Sequence, residues 1–285
     1  MVTNDDFGNF QTAWCPGCGN FAILNAVKDA LVSLDRKPHE VLFVAGIGQA
    51  AKAPQYLRAN VFTGLHGRAL PVATGAKLAN PELDVIVESG DGCVYSEGGN
   101  HFLAAIRRNI DIALLVHNNH VYGLTKGQVS PTSTRDDGFI TRPQPEGSFV
   151  QPFNPLVTAI AANAGFVARG FTGYRDHLSE LIQKAILHKG FALVDILQPC
   201  VSFNEVSIFQ WLKERCKKIP DDHDTADRWA ALELAEQWGE QIPIGAFYQN
   251  DRPPFEQRYS AVSKGPLALQ KTDKESLQRI IESYV

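Results

Sequence analysis

The sequence predicts an α/β fold: a parallel sheet flanked by helices, followed by a C-terminal arm. Three observations carry this reading. An apolar run at Val85 to Val87 ends in Gly90-Asp91-Gly92, a helix-like segment follows, and a second apolar run at Ile112 to Val116 ends in Asn118-Asn119. The same alternation returns between Leu156 and Leu197. With 285 residues, 44% of them hydrophobic, the chain can bury a large core. A strand, a helix and a second strand joined by a right-handed crossover are parallel, so Asp91 and Asn119 meet at the carboxyl edge of the sheet, where open α/β folds bind ligands.

Taken in order, Trp14-Cys15-Pro16-Gly17-Cys18-Gly19 forms a tight Cys-x-x-Cys turn, and apolar positions at helical spacing predict a helix from Asn20 to Leu34. Val41 to Ala45 reads as a buried strand. It breaks into a turn at Gly46-Ile47-Gly48 that carries Gln49 and Lys52, and a second glycine turn follows at His66-Gly67-Arg68. Pro71 to Leu78 is helical. Beyond Gln128, a stretch rich in Thr, Ser, Pro, Asp and Gly runs to Pro155 as a long ordered loop beside the site. Helix (Leu156 to Ala164), strand (Phe166 to Arg169), helix (His177 to His188) and strand (Phe191 to Leu197) complete the sheet, placing Cys200 at the edge that holds Asp91. Residues 1–200 form the α/β domain. Residues 201–285, with charged helices at Phe209 to Lys218 and Thr225 to Gln237 and a Pro-rich segment at Ile242 to Phe255, read as an arm packing on the domain or a partner.

A net charge of −4 and a pI near 6.1 give no basic surface for nucleic acid or an anionic membrane. The first residues lack a basic segment before an apolar core, and no apolar run approaches a bilayer span, so a cytoplasmic protein is expected. Five cysteines, an odd number, argue against a disulfide framework and leave metal ligation or burial. A lone Cys-x-x-Cys fits a redox dithiol, zinc or iron–sulfur use alike.

At the central motif, Gly90 and Gly92 let the backbone approach a bulky anion. One carboxylate (Asp91), one amide oxygen (Asn119) and the Val121 carbonyl suit a hard cation, so Mg²⁺ with a diphosphate is the natural occupant. The glycine turns at Ile47-Gly48-Gln49 and His66-Gly67-Arg68 are candidate walls. The span from Gly90-Asp91-Gly92 through Cys93 and His117 to Asn118-Asn119 resembles the thiamine diphosphate signature. That likeness assigns Asp91, Asn119 and Val121 to the metal, with Cys93, Gly123 and Leu124 beside the coenzyme.

Together, TAWCPGCGNFAILNAVKDAL, GIGQAAKAPQYL, HGRALPVATGAKLANP, GGNHFLAAIRRNIDI, NNHVYGLTKGQVSPTS and LQPCVSFN resemble the β subunit of the 2-oxoacid:ferredoxin oxidoreductases. The resemblance implies a thiamine-diphosphate-binding fold and a [4Fe–4S] cluster. It also implies partnership with an α subunit, or α and γ, in a dimer of heterodimers. The implied reaction is oxidative decarboxylation of a 2-oxoacid to its acyl-CoA with electrons passed to ferredoxin, or the reverse. The family's four-cysteine pattern is matched by Cys15, Cys18 and Cys200, but its third position is Gln49, leaving three thiolates and a non-cysteine fourth ligand or none. By the same likeness Lys52 takes the place of the family's substrate-selecting basic residue, which favours 2-oxoglutarate. Leu124 lies against the reacting carbon and Lys126 near a carboxylate or CoA. Pyruvate or branched-chain 2-oxoacids, or a thiamine-dependent decarboxylase without electron transfer, are the alternatives.

Overall fold

The structure, a computed structural model, describes residues 1–133, 144, 148–204, 209–271 and 273–284. The strands, in chain order, are β1 (Val41–Ala45), β2 (Asn60–Thr63), β3 (Asp84–Gly90), β4 (Ile112–Asn118), β5 (Val121–Tyr122), β6 (Gln128–Val129), β7 (Phe166–Phe171), β8 (Phe191–Leu197), β9 (Cys216–Lys218) and β10 (Ile242–Gln249). Eight of them make one sheet in the order β2-β1-β3-β4-β8-β7-β10-β9. Every pairing is parallel except β7 with β10. The helices are α1 (Asn20–Ser33), α2 (Ala69–Ala79), α3 (Gly99–Arg108), α4 (Pro155–Ala161), α5 (Arg175–Leu187), α6 (Phe209–Arg215), α7 (Arg228–Glu236), α8 (Phe255–Arg258) and α9 (Lys274–Glu282). None of them is long and apolar enough to cross a membrane.

The central strands are mostly apolar because helices cover both faces. In β4, Ile112, Leu114 and Val116 pack with α2, α3, α4 and α7, while Ala113 and Leu115 pack with α1 and α5. Each fully buried Ile, Leu or Phe contributes roughly 1.5–3 kcal/mol, so this two-faced burial fixes the register that brings Gly90 opposite His117. From β1 the chain runs outward to β2 and then returns to lay β3 on the other side of β1. That reversal is a topological switch point, and the loops leaving β1 and β3 diverge there to open a crevice.

The expected strands at β1, β3, β4, β7 and β8 and the helices between them are present. The region after residue 200 is more than an arm. Cys216, expected within a helix, opens β9, and the Pro-rich segment supplies β10, so two strands of the main sheet come from beyond residue 200. Pro243 lacks an N–H and Gly245 takes φ +143, and the β7 pairing shifts between Ala246 and Tyr248, which is why this stretch does not read as a strand. Of the long loop expected after Gln128, residues 134–143 and 145–147 lie outside the described residues.

Candidate active site

The crevice at the switch point is a cleft of ≈ 520 Å³. Its walls are Ile47, Gly48, Gln49 and Ala50 from the turn after β1, His66, Gly90 to Cys93 after β3, His117 and Asn119 from the end of β4, and Val121 to Thr125. A Cβ at Gly48 or Gly123 would meet nothing within 4 Å, and one at Gly90 only Ala50 at 3.9 Å and the His117 carbonyl at 4.0 Å, so the missing side chains leave space for a ligand against the backbone. Gly92 differs. A Cβ there would lie 2.2 Å from the Tyr122 ring, whose hydroxyl donates to Gly92 O at 3.2 Å. After Asp91 the helix opens into one π turn (Gly92–Glu97), with Gly98 N–H reaching Cys93 O at 3.1 Å, a device common at functional sites.

Asp91 is buried, and burial raises its carboxyl to about 6 against the pull of hydrogen bonds from Ser130, Thr132 and the Gly92 backbone. A buried carboxylate with no cation beside it is costly, and this one faces a cleft. The Asn119 amide oxygen accepts from Val121 N–H at 3.0 Å, fixing the loop whose carbonyls follow. His117 also reaches the cleft. Its Nδ1 lies 2.8 Å from Asn20 Oδ1, its buried Nε2 has no partner among the described residues, and burial drives its pKa down to about 3, so it is neutral. Cys93 Sγ accepts N–H groups from Gly67 (3.2 Å) and Ile47 (3.5 Å), stitching the turns after β1 and β2 to the central motif.

A second cavity, of ≈ 490 Å³, adjoins the first. Cys15, Cys18 and Cys200 line it with Trp14, Asn20, Gln198, Val201, Ser202 and Phe203, and Gln49, Asn119 and Gly123 belong to both cavities. Gly17, at φ +80, turns the Cys-x-x-Cys loop. Gly19 lets that loop meet the end of β8, because a Cβ there would lie 2.4 Å from Gln198 Cγ. Gln198 Nε2 donates to Cys18 Sγ at 3.4 Å and Ser202 Oγ to Cys15 Sγ at 3.2 Å. Burial raises the Cys18 thiol. Among the described residues no three His, Cys, Asp or Glu side chains converge on a point that would hold one metal ion. Gln49 Oε1 is buried and has no hydrogen-bond partner among the described residues.

Residues 42–196 match the family described as "Thiamine pyrophosphate enzyme, C-terminal TPP binding domain", and residues 200–264 match the family of C-terminal segments of the pyruvate ferredoxin oxidoreductase β chain. The β subunit of 2-oxoacid:ferredoxin oxidoreductase 1 from Aeropyrum pernix is 41% identical over 94% of this chain and 89% of its own length. The chain belongs to the 2-oxoacid:ferredoxin oxidoreductases, as a β subunit. The Mycobacterium tuberculosis 2-oxoglutarate oxidoreductase subunit KorB is 45% identical over 72% of this chain and 54% of its own. A solved 2-oxoglutarate:ferredoxin oxidoreductase from Magnetococcus marinus, with 2-oxoglutarate, coenzyme A and succinyl-CoA bound, superposes with a TM-score of 0.91 at 35% identity, covering 98% of this chain and 96% of that one. This β subunit is therefore part of an oxidoreductase with a thiamine-diphosphate-binding domain and an α partner.

Of the residues singled out in the sequence, the cleft gathers Ile47, Gly48, Gln49, His66, Gly90, Asp91, Gly92, Cys93, Asn119, Val121, Gly123 and Leu124. It does not gather Gly67, Arg68, Lys52 or Lys126. Gly67 is buried where a Cβ would strike the Glu97 backbone at 2.6 Å, and Arg68 is exposed with Nη1 3.0 Å from His101 Nε2. Lys52 is half-buried in the 3₁₀ turn Ala50–Tyr56, and Lys126 is exposed at φ +68. His117, Tyr122, Ser130 and Thr132 belong to the site without standing out in the sequence. The hydroxyl-rich run Ser130-Pro131-Thr132-Ser133 is the available signal, and it reads as loop.

Proposed function

We propose that this β subunit holds Mg²⁺ and the diphosphate of thiamine diphosphate through Asp91, Asn119 and the Val121 carbonyl, and an iron–sulfur cluster through Cys15, Cys18 and Cys200. With its α partner, or α and γ, in a dimer of heterodimers, it converts 2-oxoglutarate and CoA to succinyl-CoA and CO₂ with electrons passed to ferredoxin, or runs the reverse carboxylation. The observation that carries this reading is the shared wall: Gln49, Asn119 and Gly123 border both the coenzyme cleft and the cysteine-lined cavity, so electrons have a path of a single side-chain layer between them.

Bound thiamine diphosphate supplies the electron sink for decarboxylation. The chain's own residues position and insulate. Asp91 provides the anionic ligand for a hard cation, and the backbone at Gly48, Gly90 and Gly123 gives room for the diphosphate. Gln49, whose Oε1 has no partner among the described residues, stands where a fourth thiolate would, leaving one iron with a neutral ligand or a solvent molecule. Leu124, half-exposed on the cleft wall, shapes the substrate end. Lys52, three residues beyond Gln49 with Lys126 in the loop beyond, supplies cations for the distal carboxylate or CoA once the α partner closes the site. The names of the M. tuberculosis and M. marinus relatives support 2-oxoglutarate over pyruvate.

The test is CoA-dependent reduction of ferredoxin by the co-purified complex on each 2-oxoacid. Higher kcat/KM on 2-oxoglutarate is expected, and equal or better kcat/KM on pyruvate would overturn the substrate assignment.

A further inference from the structure

Asp91 is gripped from behind. Its Oδ2 accepts hydrogen bonds from Ser130 Oγ at 2.5 Å and Thr132 Oγ1 at 2.6 Å. Both hydroxyl residues are buried, and neither belongs to the wall of the coenzyme cleft, whereas Asp91 does. The hydroxyls therefore hold one carboxylate oxygen, Oδ2, from outside the cleft wall, and the Gly92 backbone N–H adds a further hydrogen bond to the carboxylate. Thr132 Oγ1 also lies 2.9 Å from Asn118 Oδ1, so a single hydroxyl touches both halves of the motif, the carboxylate after β3 and the amide that ends β4. Asn118 is itself anchored. Its Nδ2 donates to Asp195 at 3.2 and 3.3 Å, and Tyr95 Oη donates to the same carboxylate at 2.8 Å. The turn presenting the hydroxyls is fixed as well: Ser130 N–H donates to Ser133 Oγ at 3.0 Å, and Ser133 Oγ donates to His120 O, next to Asn119.

We infer that Ser130 and Thr132 are positioning residues for the divalent cation: they orient Asp91 toward the cleft, and Thr132 sets the spacing between Asp91 and the Asn118-Asn119 end of β4. The inference rests on the reading of Asp91 as a Mg²⁺ ligand. Groups that orient a metal's ligands typically govern 10–100-fold in affinity. Asp91 follows β3 and Asn118 ends β4, and the Thr132 hydroxyl lies within hydrogen-bond distance of both.

The experiment is Mn²⁺ binding to the co-purified complex, followed by the loss of the free-ion electron paramagnetic resonance signal with thiamine diphosphate present. It compares wild type, Thr132→Val, Thr132→Ser, Ser130→Ala and Asp91→Asn. Thr132→Val keeps the shape and removes the hydroxyl, so Mn²⁺ affinity should fall by about 10–100-fold. Thr132→Ser should restore most of it, and Ser130→Ala, which keeps the Thr132 hydroxyl between Asp91 and Asn118, should lose less than Thr132→Val. At saturating Mg²⁺ the valine variant should recover kcat while its requirement for Mg²⁺ stays raised. Should the valine variant fail to fold, Ser130→Ala and Thr132→Ser carry the test, and wild-type Mn²⁺ affinity in Ser130→Ala would overturn the inference. If Asp91→Asn loses the ion while Thr132→Val binds it like wild type, the inference fails and the ligand assignment stands. If Asp91→Asn also binds like wild type, the ligand assignment itself is wrong and the inference falls with it.

Discussion

Replacing Gly92 with alanine tests how tightly the central motif is built. The new Cβ would lie 2.2 Å from Tyr122 Cε1 and 2.6 Å from Cζ. Those atoms belong to a rigid ring whose hydroxyl lies 3.2 Å from Gly92 O and 3.1 Å from Glu97 Oε2, with one proton to donate between them. Tyr122 must swing away, at an overpacking cost of about 1–3 kcal/mol. Losing the hydrogen bond that its single hydroxyl proton makes to one of these acceptors adds roughly 1–2 kcal/mol. The sum, about 2–5 kcal/mol, corresponds to roughly 3–8 °C in Tm for a chain of this size. Tyr122 sits beside Val121 in the two-residue strand β5, so its displacement also moves the carbonyl proposed to meet the cation, and coenzyme content should fall with stability. The assay is thermal denaturation of the co-purified complex, with coenzyme content measured on the same samples. Tyr122→Ala in the Gly92→Ala background removes the clash, so the double variant should lose less than the sum of the singles. A Gly92→Ala variant as stable as wild type, or strict additivity, would refute the reasoning.

Four further outcomes are expected. Glu88, buried with neither oxygen partnered among the described residues, has its carboxyl raised by burial from 4.5 to about 8. The folded state therefore holds the proton more tightly than the unfolded chain, so the stability this group contributes is present below about pH 4.5 and lost as pH rises toward 8. Glu88→Gln should flatten that decline, visible as a Tm advantage over wild type that grows from pH 5 to pH 8. Gln49→Cys should make the cluster resist oxidative loss of iron, where wild type converts readily to a three-iron species detectable by electron paramagnetic resonance. Lys52→Ile should shift the ratio of kcat/KM values toward pyruvate by about tenfold or more, the equivalent of ~1.4 kcal/mol. The isolated β chain, lacking the partner's half of the coenzyme site, should show no turnover.

Much of this molecule is legible in the sequence because its central strands are buried on both faces, so β1, β3, β4 and β8 stand out by their short apolar runs. β2 escapes because all four of its residues are exposed at the sheet edge, and β5 and β6 because two residues carry no period. β10 hides behind Pro243 and Gly245. At the site, glycine spacing and the terminal asparagines announce Asp91 and Asn119, and the cysteines announce themselves. Ser130 and Thr132 do not, because a hydroxyl-rich turn looks the same whether its side chains face water or a buried carboxylate. His117 is likewise hidden, as the penultimate residue of a strand whose other members are core. The glycine turn at His66-Gly67-Arg68 shows the converse: the motif is real, but Gly67 and Arg68 serve packing against Glu97 and His101, and only His66 reaches the cleft.

The central claim is that this chain carries the coenzyme's diphosphate site and the cluster side by side. Iron and thiamine diphosphate content of the anaerobically co-purified complex, measured for wild type, Asp91→Ala and Cys18→Ala, tests it most directly. Wild type should contain both, Asp91→Ala should keep iron and lose thiamine diphosphate, and Cys18→Ala should do the opposite. Wild-type complex devoid of iron, or an Asp91→Ala complex with undiminished thiamine diphosphate, would contradict the account.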